Sequence, residues 1–126
     1  MQATPAEHAF FDEFVRAFAS FSGEVIASRY ASPYMAMYAD GTRDLHSSQQ
    51  DTARYFQRIL DRYQEQGART CSYENLDVVA VGRGHLLATV TWNLQDQAGG
   101  VVSAWRESYT LAMRDGKYEI TTSIDH

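Results

Sequence analysis

The sequence is poor in three things. It has one cysteine, Cys71, and two prolines, Pro5 and Pro33, and its 11 Lys and Arg are outnumbered by 16 Asp and Glu. A single cysteine excludes a disulfide framework or a cysteine metal cluster. A net charge of −5 argues against nucleic acid or an anionic membrane as partner. No apolar run approaches the roughly 20 residues of a membrane span, so no membrane association is expected. The opening MQATPAEHAF carries Glu7 and no basic region, so no secretory leader is expected and a cytoplasmic protein is the default. No two of His8, His46, His85 and His126 have the spacing of a metal pair on one element. Gly82-Arg83-Gly84 reads as a hairpin turn and not a phosphate loop, because no helix follows it. Neither metal nor cofactor is expected.

What is abundant is aromatic: 13% of the 126 residues, including eight Tyr, six Phe and two Trp. The length fits one domain, residues 1–126, with a core of its own. Thr4-Pro5-Ala6-Glu7 is a capping box with proline at the first helical position. The helix it opens repeats Phe10, Phe11, Phe14, Val15, Phe18 and Phe21 at helical spacing until Ser22-Gly23. A short second helix is expected over about Glu24 to Tyr30. Pro33 then pushes Ser32 toward an extended conformation. Tyr34 to Ala39 alternates as a strand, and Asp40-Gly41 turns it into a brief run ending near Leu45. A third helix starts at Ser47 or Ser48 and runs to about Gln66, with Thr52, Phe56, Ile59, Leu60 and Tyr63 as its apolar stripe.

From Arg69 onward the pattern is strand and turn. Strands are expected over Cys71 to Val81 and His85 to Leu94, then in the hairpin Val101 to Ile124 across Arg114-Asp115-Gly116. Asp-Gly between alternating runs is a strong hairpin signal. Strict alternation places Trp105, Glu107, Tyr109, Leu111 and Met113 on one face of the first run. It places Tyr118, Ile120, Thr122 and Ile124 on one face of the second. Helices early and strands late predict an α+β domain, three helices packed in the concave face of a curved, mainly antiparallel sheet.

The phenylalanine-rich first helix, Tyr30-Ala31, Tyr38-Ala39-Asp40-Gly41 and the Arg62-Tyr63-Gln64-Glu65-Gln66-Gly67 ending resemble the nuclear-transport-factor-2-like superfamily. So does the closing hairpin, Tyr109-Thr110-Leu111 through Arg114-Asp115-Gly116-Lys117-Tyr118-Glu119-Ile120. That superfamily includes ketosteroid isomerases and polyketide cyclases of the SnoaL type. The resemblance spans about Ala6 to Ile124 and implies a cone-like α+β barrel enclosing a cavity. It does not imply one activity, since the fold hosts enzymes, binding modules and assembly domains.

The isomerase pattern needs an Asp base on the first strand, a Tyr on the first helix and a protonated late-strand Asp. The resemblance puts Tyr38 at the base position and Phe14 at the helical donor position. Only the late-strand acid has a counterpart, Glu107, though Tyr109 fits that position as well. The Asp-Arg-Asp set of limonene epoxide hydrolases fails because Arg106 and Glu107 are adjacent and face opposite ways. The His-Asp pair and tyrosines of scytalone dehydratases are not recognisable in His46, Tyr34, Tyr38 and Tyr109.

Glu107 is therefore the one candidate for chemistry, either a pocket acid of raised pKa or a paired structural charge. Asp125 and His126 fall where several cyclases of the superfamily carry a working carboxylate, but are expected to fray. His46 is expected in a solvated loop at one mouth of the cone. Cys71 is expected as a small buried hydrophobe. Phe14, Phe18, Tyr34, Tyr38, Trp92, Trp105, Tyr109 and Tyr118 are expected to line the cavity and to favour a small apolar or aromatic molecule. Leu87, Thr89, Thr91 and Asn93, with Val102, Ala104, Arg106, Ser108, Thr110 and Ala112, form the other face of the sheet. Superfamily members commonly dimerise there, so a homodimer is expected. Three readings remain: a small-molecule-binding protein without a complete catalytic set, a lyase, isomerase or cyclase acting near a carbonyl through Glu107, and a dimerisation module with a filled cavity.

Overall fold

The structure is a computed structural model and describes residues 3–126. Helix α1 is Pro5–Phe18, α2 Gly23–Ala27 and α3 Gln49–Glu65. The strands are β1 Tyr30–Met37, β2 Arg43–His46, β3 Thr70–Val81, β4 His85–Gln95, β5 Val101–Arg114 and β6 Lys117–Asp125. They form one curved sheet in the order β2-β1-β6-β5-β4-β3. All pairings are antiparallel except β1 with β6, so the sheet is mixed with an antiparallel majority.

Helix α1 starts where the capping box predicts. The Thr4 backbone N–H donates to Glu7 Oε1 at 2.9 Å, and its hydroxyl donates to Oε2 at 2.6 Å. Phe10, Phe11, Phe14 and Phe18 are buried from this helix against the sheet. Each removes a large apolar surface from water, worth roughly 1.5–3 kcal/mol per fully buried ring.

The second helix is shorter than its sequence predicts. Ser28 Oγ donates to the Val25 carbonyl at 2.6 Å and the Arg29 N–H to Ile26, closing α2 after Ala27. Tyr30 then opens β1 instead of ending a helix, and pairs in register with Ile120 on β6. Gly23 lets α2 lie against α3, because a Cβ there would collide with the Ala53 carbonyl and with Gln57. Ser48 caps α3, its side chain accepting from the Asp51 N–H.

The β5–β6 hairpin turns at Asp115 and Gly116 with φ of 52° and 76°. Two consecutive positive φ values are those of a type I′ turn, which matches the twist of a hairpin. Beyond the turn the strict alternation expected of β6 fails. Leu111 pairs with Ile120 but Thr110 pairs with Thr122, leaving Thr121 as an extra residue, a β-bulge. Tyr118 and Ile120 keep their expected face, whereas Thr122 and Ile124 are switched to the outer one. Ser123 and Asp125 take the inner face in their place, opposite Tyr109 and Glu107. Met113, expected inside, is 45% exposed at the hairpin tip.

Candidate functional site

The concave face of the sheet and the three helices enclose a cavity of about 260 Å³. Among its walls are Phe14 and Phe18 from α1, Tyr30 and Tyr34 from β1, and Tyr55, Phe56 and Tyr63 from α3. Trp92 from β4, Trp105, Glu107 and Tyr109 from β5, and Ser123 and Asp125 from β6 complete the sheet side, with His126 beyond. The sequence supplies these positions through period-two alternation on the strands and period-3.6 stripes on the helices.

Of the lining residues expected, Phe14, Phe18, Tyr34, Tyr38, Trp92, Trp105 and Tyr109 surround the cavity together with Glu107. Tyr118 does not. Its hydroxyl donates to Glu7 Oε2 at 3.2 Å and its ring meets Phe10 edge-on, at the start of α1. Four further rings join the wall that the sequence pattern does not single out. Tyr30 is hidden by the helical pattern that precedes it, and Tyr55 lies beside the apolar stripe of α3 and not on it. Phe56 and Tyr63 lie on that stripe, and the cavity makes them wall as well as core.

The polar groups converge on Glu107. Trp105 Nε1 donates to Glu107 Oε1 at 2.7 Å. Trp92 Nε1 donates to the Tyr109 hydroxyl at 2.7 Å, and Tyr109 lines the cavity beside Glu107. Across the β5–β6 pairing Glu107 sits opposite Asp125. Glu107 is half-buried and lines the cavity. Burial therefore pushes its pKa up to about 8, the Asp125 charge pushes the same way, and the bond from Trp105 only partly offsets them. Asp125 is half-buried and also raised, first by desolvation, while its hydrogen bond with Glu107 and the nearby His126 pull it down. The two carboxyls thus titrate together, and burial favours the protonated form more strongly at Glu107.

Asp125 and His126 do not fray. Asp125 is the last residue of β6, and the His126 N–H donates to the Arg106 carbonyl at 3.2 Å. The His126 ring reaches Ser108 Oγ through Nε2 at 2.7 Å. The bulge at Thr121 is what aims Asp125 inward, and no strict period-two reading finds it.

The remaining candidates take structural places. Tyr38 donates to Asp44 at 2.9 Å and accepts from the Tyr55 hydroxyl at 3.0 Å, and burial raises its pKa, so it is no general base. Phe14 stacks near Trp92 and has no proton to give. Tyr34 shares a buried hydrogen bond of 2.5 Å with Ser123. His46 lies in β2, not in a solvated loop, with its ring 4.3 Å from that of Tyr55. Its Nε2 is buried without a partner, and burial lowers its pKa. Cys71 is buried on the cavity wall, its thiol pushed up to about 12 by desolvation. Among the described residues no cluster of His, Cys, Asp and Glu is placed to hold a metal, and no helix is long and apolar enough to cross a membrane.

A curved sheet closed by three helices over an internal cavity defines the cone of the nuclear-transport-factor-2-like class. This chain belongs to that class: residues 6–126 match the family described as NTF2-like protein (DUF6841). Solved structures agree on the fold. A domain of unknown function with a cystatin-like fold from Nostoc punctiforme is 20% identical, with 98% of this chain and 78% of that one covered at a TM-score of 0.72. Aln2 from a Streptomyces species is 12% identical, with 100% and 94% covered at 0.78. The yeast UBP3-associated protein BRE5 is 14% identical, with 99% and 97% covered at 0.75. At such identities the likeness carries the fold alone. No curated protein matches the sequence.

Proposed function

We propose that this chain is a small-molecule-binding protein whose ligand is compact, mainly apolar and ring-bearing, held in the aromatic cavity. The observation that carries the reading is the cavity itself: about 260 Å³ walled by aromatic rings, with the polar groups gathered at Glu107 and Asp125. That volume is just under the roughly 300–1,000 Å³ of drug-sized sites, and an apolar wall with a few convergent polar groups is the usual form of such a site. A dimerisation module with a filled cavity is disfavoured by the same space. Native mass spectrometry of the protein purified from its own source tests the reading. A bound small molecule released on unfolding is expected, and protein that is empty and takes up no aromatic probe would overturn it.

A second reading is favoured by the Glu107–Asp125 pair. A protonated Glu107 beside an ionised Asp125 gives one acid and one base in a shielded site, the arrangement for moving a proton next to a carbonyl. The family likeness to ketosteroid isomerases and SnoaL-type cyclases extends no further than this, since Tyr38 and Phe14 leave their base and donor positions empty of chemistry. Turnover of small ketones and polyketides that Glu107→Gln abolishes would establish an enzyme, and a wild type inert across such a panel would remove this reading.

The convex face of the sheet supports a homodimer. Thr89, Thr110 and Thr122 are half-buried there with Met35 and Ile124, a small-residue surface of low charge. Sedimentation equilibrium is expected to return twice the chain mass, and a single chain mass would overturn the assembly.

A further inference from the structure

The cavity presents negative charge and electron-rich rings, and among the described residues His126 at its edge is the one basic side chain to meet them. Its lining among the described residues includes two carboxyls and no lysine or arginine. Arg58 and Arg62 line an adjoining outer depression that shares Tyr38, Tyr55 and Ile59 with the cavity, where Asp44, Asp61 and Glu65 accompany them. The groups that face Glu107 are Asp125 and His126 at the end of β6, Tyr30 and Tyr34 from β1, Tyr63 from α3, and Tyr109 on its own strand. Helix α1 offers only Phe14 and Phe18. His126 is turned to Ser108 on the outer face, and the phenols are held neutral by burial and by the charge of Glu107 itself. With one proton between two carboxyls the pair keeps a negative charge that no lysine or arginine of the cavity lining neutralises.

We propose that the cavity is a site for a small organic cation, an amine or quaternary ammonium on a ring, whose charge is set against Glu107 and Asp125 and whose body lies on the aromatic wall. The proposal rests on the binding reading above and names the ligand class for the same site. Two physical effects act together. A cation over aromatic faces is attracted by their quadrupoles, more strongly when desolvated. A cation beside the carboxyl pair also supplies the charge it lacks, which a neutral carbonyl compound does not. Entry of the cation expels the shared proton: one cation enters and up to one proton leaves for solvent. Affinity for a cation therefore rises with pH through the range in which Glu107 titrates.

The test compares phenyltrimethylammonium with tert-butylbenzene, which has the same shape, no charge and no titrating group. Binding to the full chain is read from the fluorescence of Trp92 and Trp105, with calorimetry in two buffers of different ionisation heat to count protons. At pH 9 the cation is expected to bind roughly tenfold or more tighter than its neutral twin. That preference shrinks severalfold at pH 6, and proton release is detected near pH 7. Asp125→Asn and Glu107→Gln, which each leave a single carboxylate, shrink the preference at pH 9 severalfold while still binding the neutral probe. If tert-butylbenzene binds and the cation binds no better at any pH, the cation proposal falls and the binding reading stands. If neither probe binds, both fall. The wild-type comparison is decisive by itself, so a variant that fails to fold does not shield the proposal.

Discussion

Two glutamates enter the interior of this cone from its two ends, and their surroundings push them in opposite directions. Glu7, at the start of α1, is only 4% exposed. Burial raises its pKa, but hydrogen bonds from the Thr4 hydroxyl and backbone and from Tyr118 more than offset that and leave it below the ordinary carboxylate value. Glu107 is shielded too, but it sits among weaker compensation. Trp105 donates to it, Asp125 repels it, and its pKa rises. Burial alone does not mark a working carboxyl. What separates the two is whether the protein itself completes the hydrogen bonding and charge: at Glu7 it does, and at Glu107 a cavity stands where the completion would be.

The largest test of that contrast is stability against pH. The folded pKa of Glu107 lies above its unfolded value, so the folded state holds the proton more tightly. Its share of stability is intact below about pH 4.5 and is lost as pH rises toward 8. Glu107→Gln removes a charge that is costly only when present. The variant is expected to match the wild type near pH 5 and to exceed it by on the order of 3 kcal/mol at pH 8.5, since each pH unit across the window contributes at most about 1.4 kcal/mol. Urea unfolding at the two pH values measures this. Equal stability of both proteins at pH 8.5 would show that Glu107 is not shielded in the folded protein.

The opposite substitution should behave oppositely. Glu7→Ala removes the carboxylate arm of the capping box and leaves the Thr4 backbone N–H and hydroxyl and Tyr118 without that acceptor. A loss of about 1–2 kcal/mol is expected at neutral pH. Because the folded pKa of Glu7 is lowered, its contribution is present above the unfolded value and disappears as pH falls through the folded one. Urea unfolding at pH 7 and pH 3 should therefore show a difference that narrows in acid. A difference that holds constant would mean that Glu7 stabilises through packing and not through its charge.

The sequence yields the two glutamates unequally for a physical reason. The Thr4 to Glu7 box is local, three residues apart, so spacing alone reveals its partner. The fold, too, is legible at this level, since Phe10 to Phe18 and the alternation of His85 to Leu94 each declare one periodicity. The partner of Glu107 is eighteen residues away across a hairpin. Its approach depends on the bulge at Thr121, which reverses every later side chain on β6 and leaves no compositional mark. Strict alternation therefore assigns Ile124 inward and Asp125 outward. Tyr118 is misplaced for another reason: its face is right, but it lies beyond the cavity at the closed end, beside Glu7. Tyr30 is missed because helix propensity over 24–30 competes with pairing to Ile120, a contact ninety residues distant that only the assembled sheet supplies.

A smaller effect separates the two sites by their donors. Trp105→Phe keeps an aromatic wall but removes the N–H that donates to Glu107 Oε1, on the order of 1 kcal/mol for a bond to a charged acceptor. The bond favours the ionised form, so its loss raises the Glu107 pKa further. Carbon-13 NMR of the labelled side-chain carboxyl should show its midpoint move to higher pH. A midpoint that stays in place would mean that the indole does not reach Glu107 in solution.

The smallest effect is expected at the corresponding donor of Glu7. Tyr118→Phe removes a hydroxyl 3.2 Å from Oε2, a long bond to an oxygen that already accepts from Thr4 at 2.6 Å. The ring and its edge-on contact with Phe10 remain. Because the backbone N–H and hydroxyl of Thr4 still occupy both carboxylate oxygens, no acceptor is stranded, and the loss should stay below about 0.5 kcal/mol. The Glu7 midpoint should rise only slightly, by less than Glu107 shifts in Trp105→Phe. The same NMR titration measures both, so the two variants form a matched pair. If Glu7 moves as far as Glu107, the protein's own completion of Glu7 is no more secure than that of the cavity acid, and the distinction between a capped carboxyl and an unfinished one does not hold.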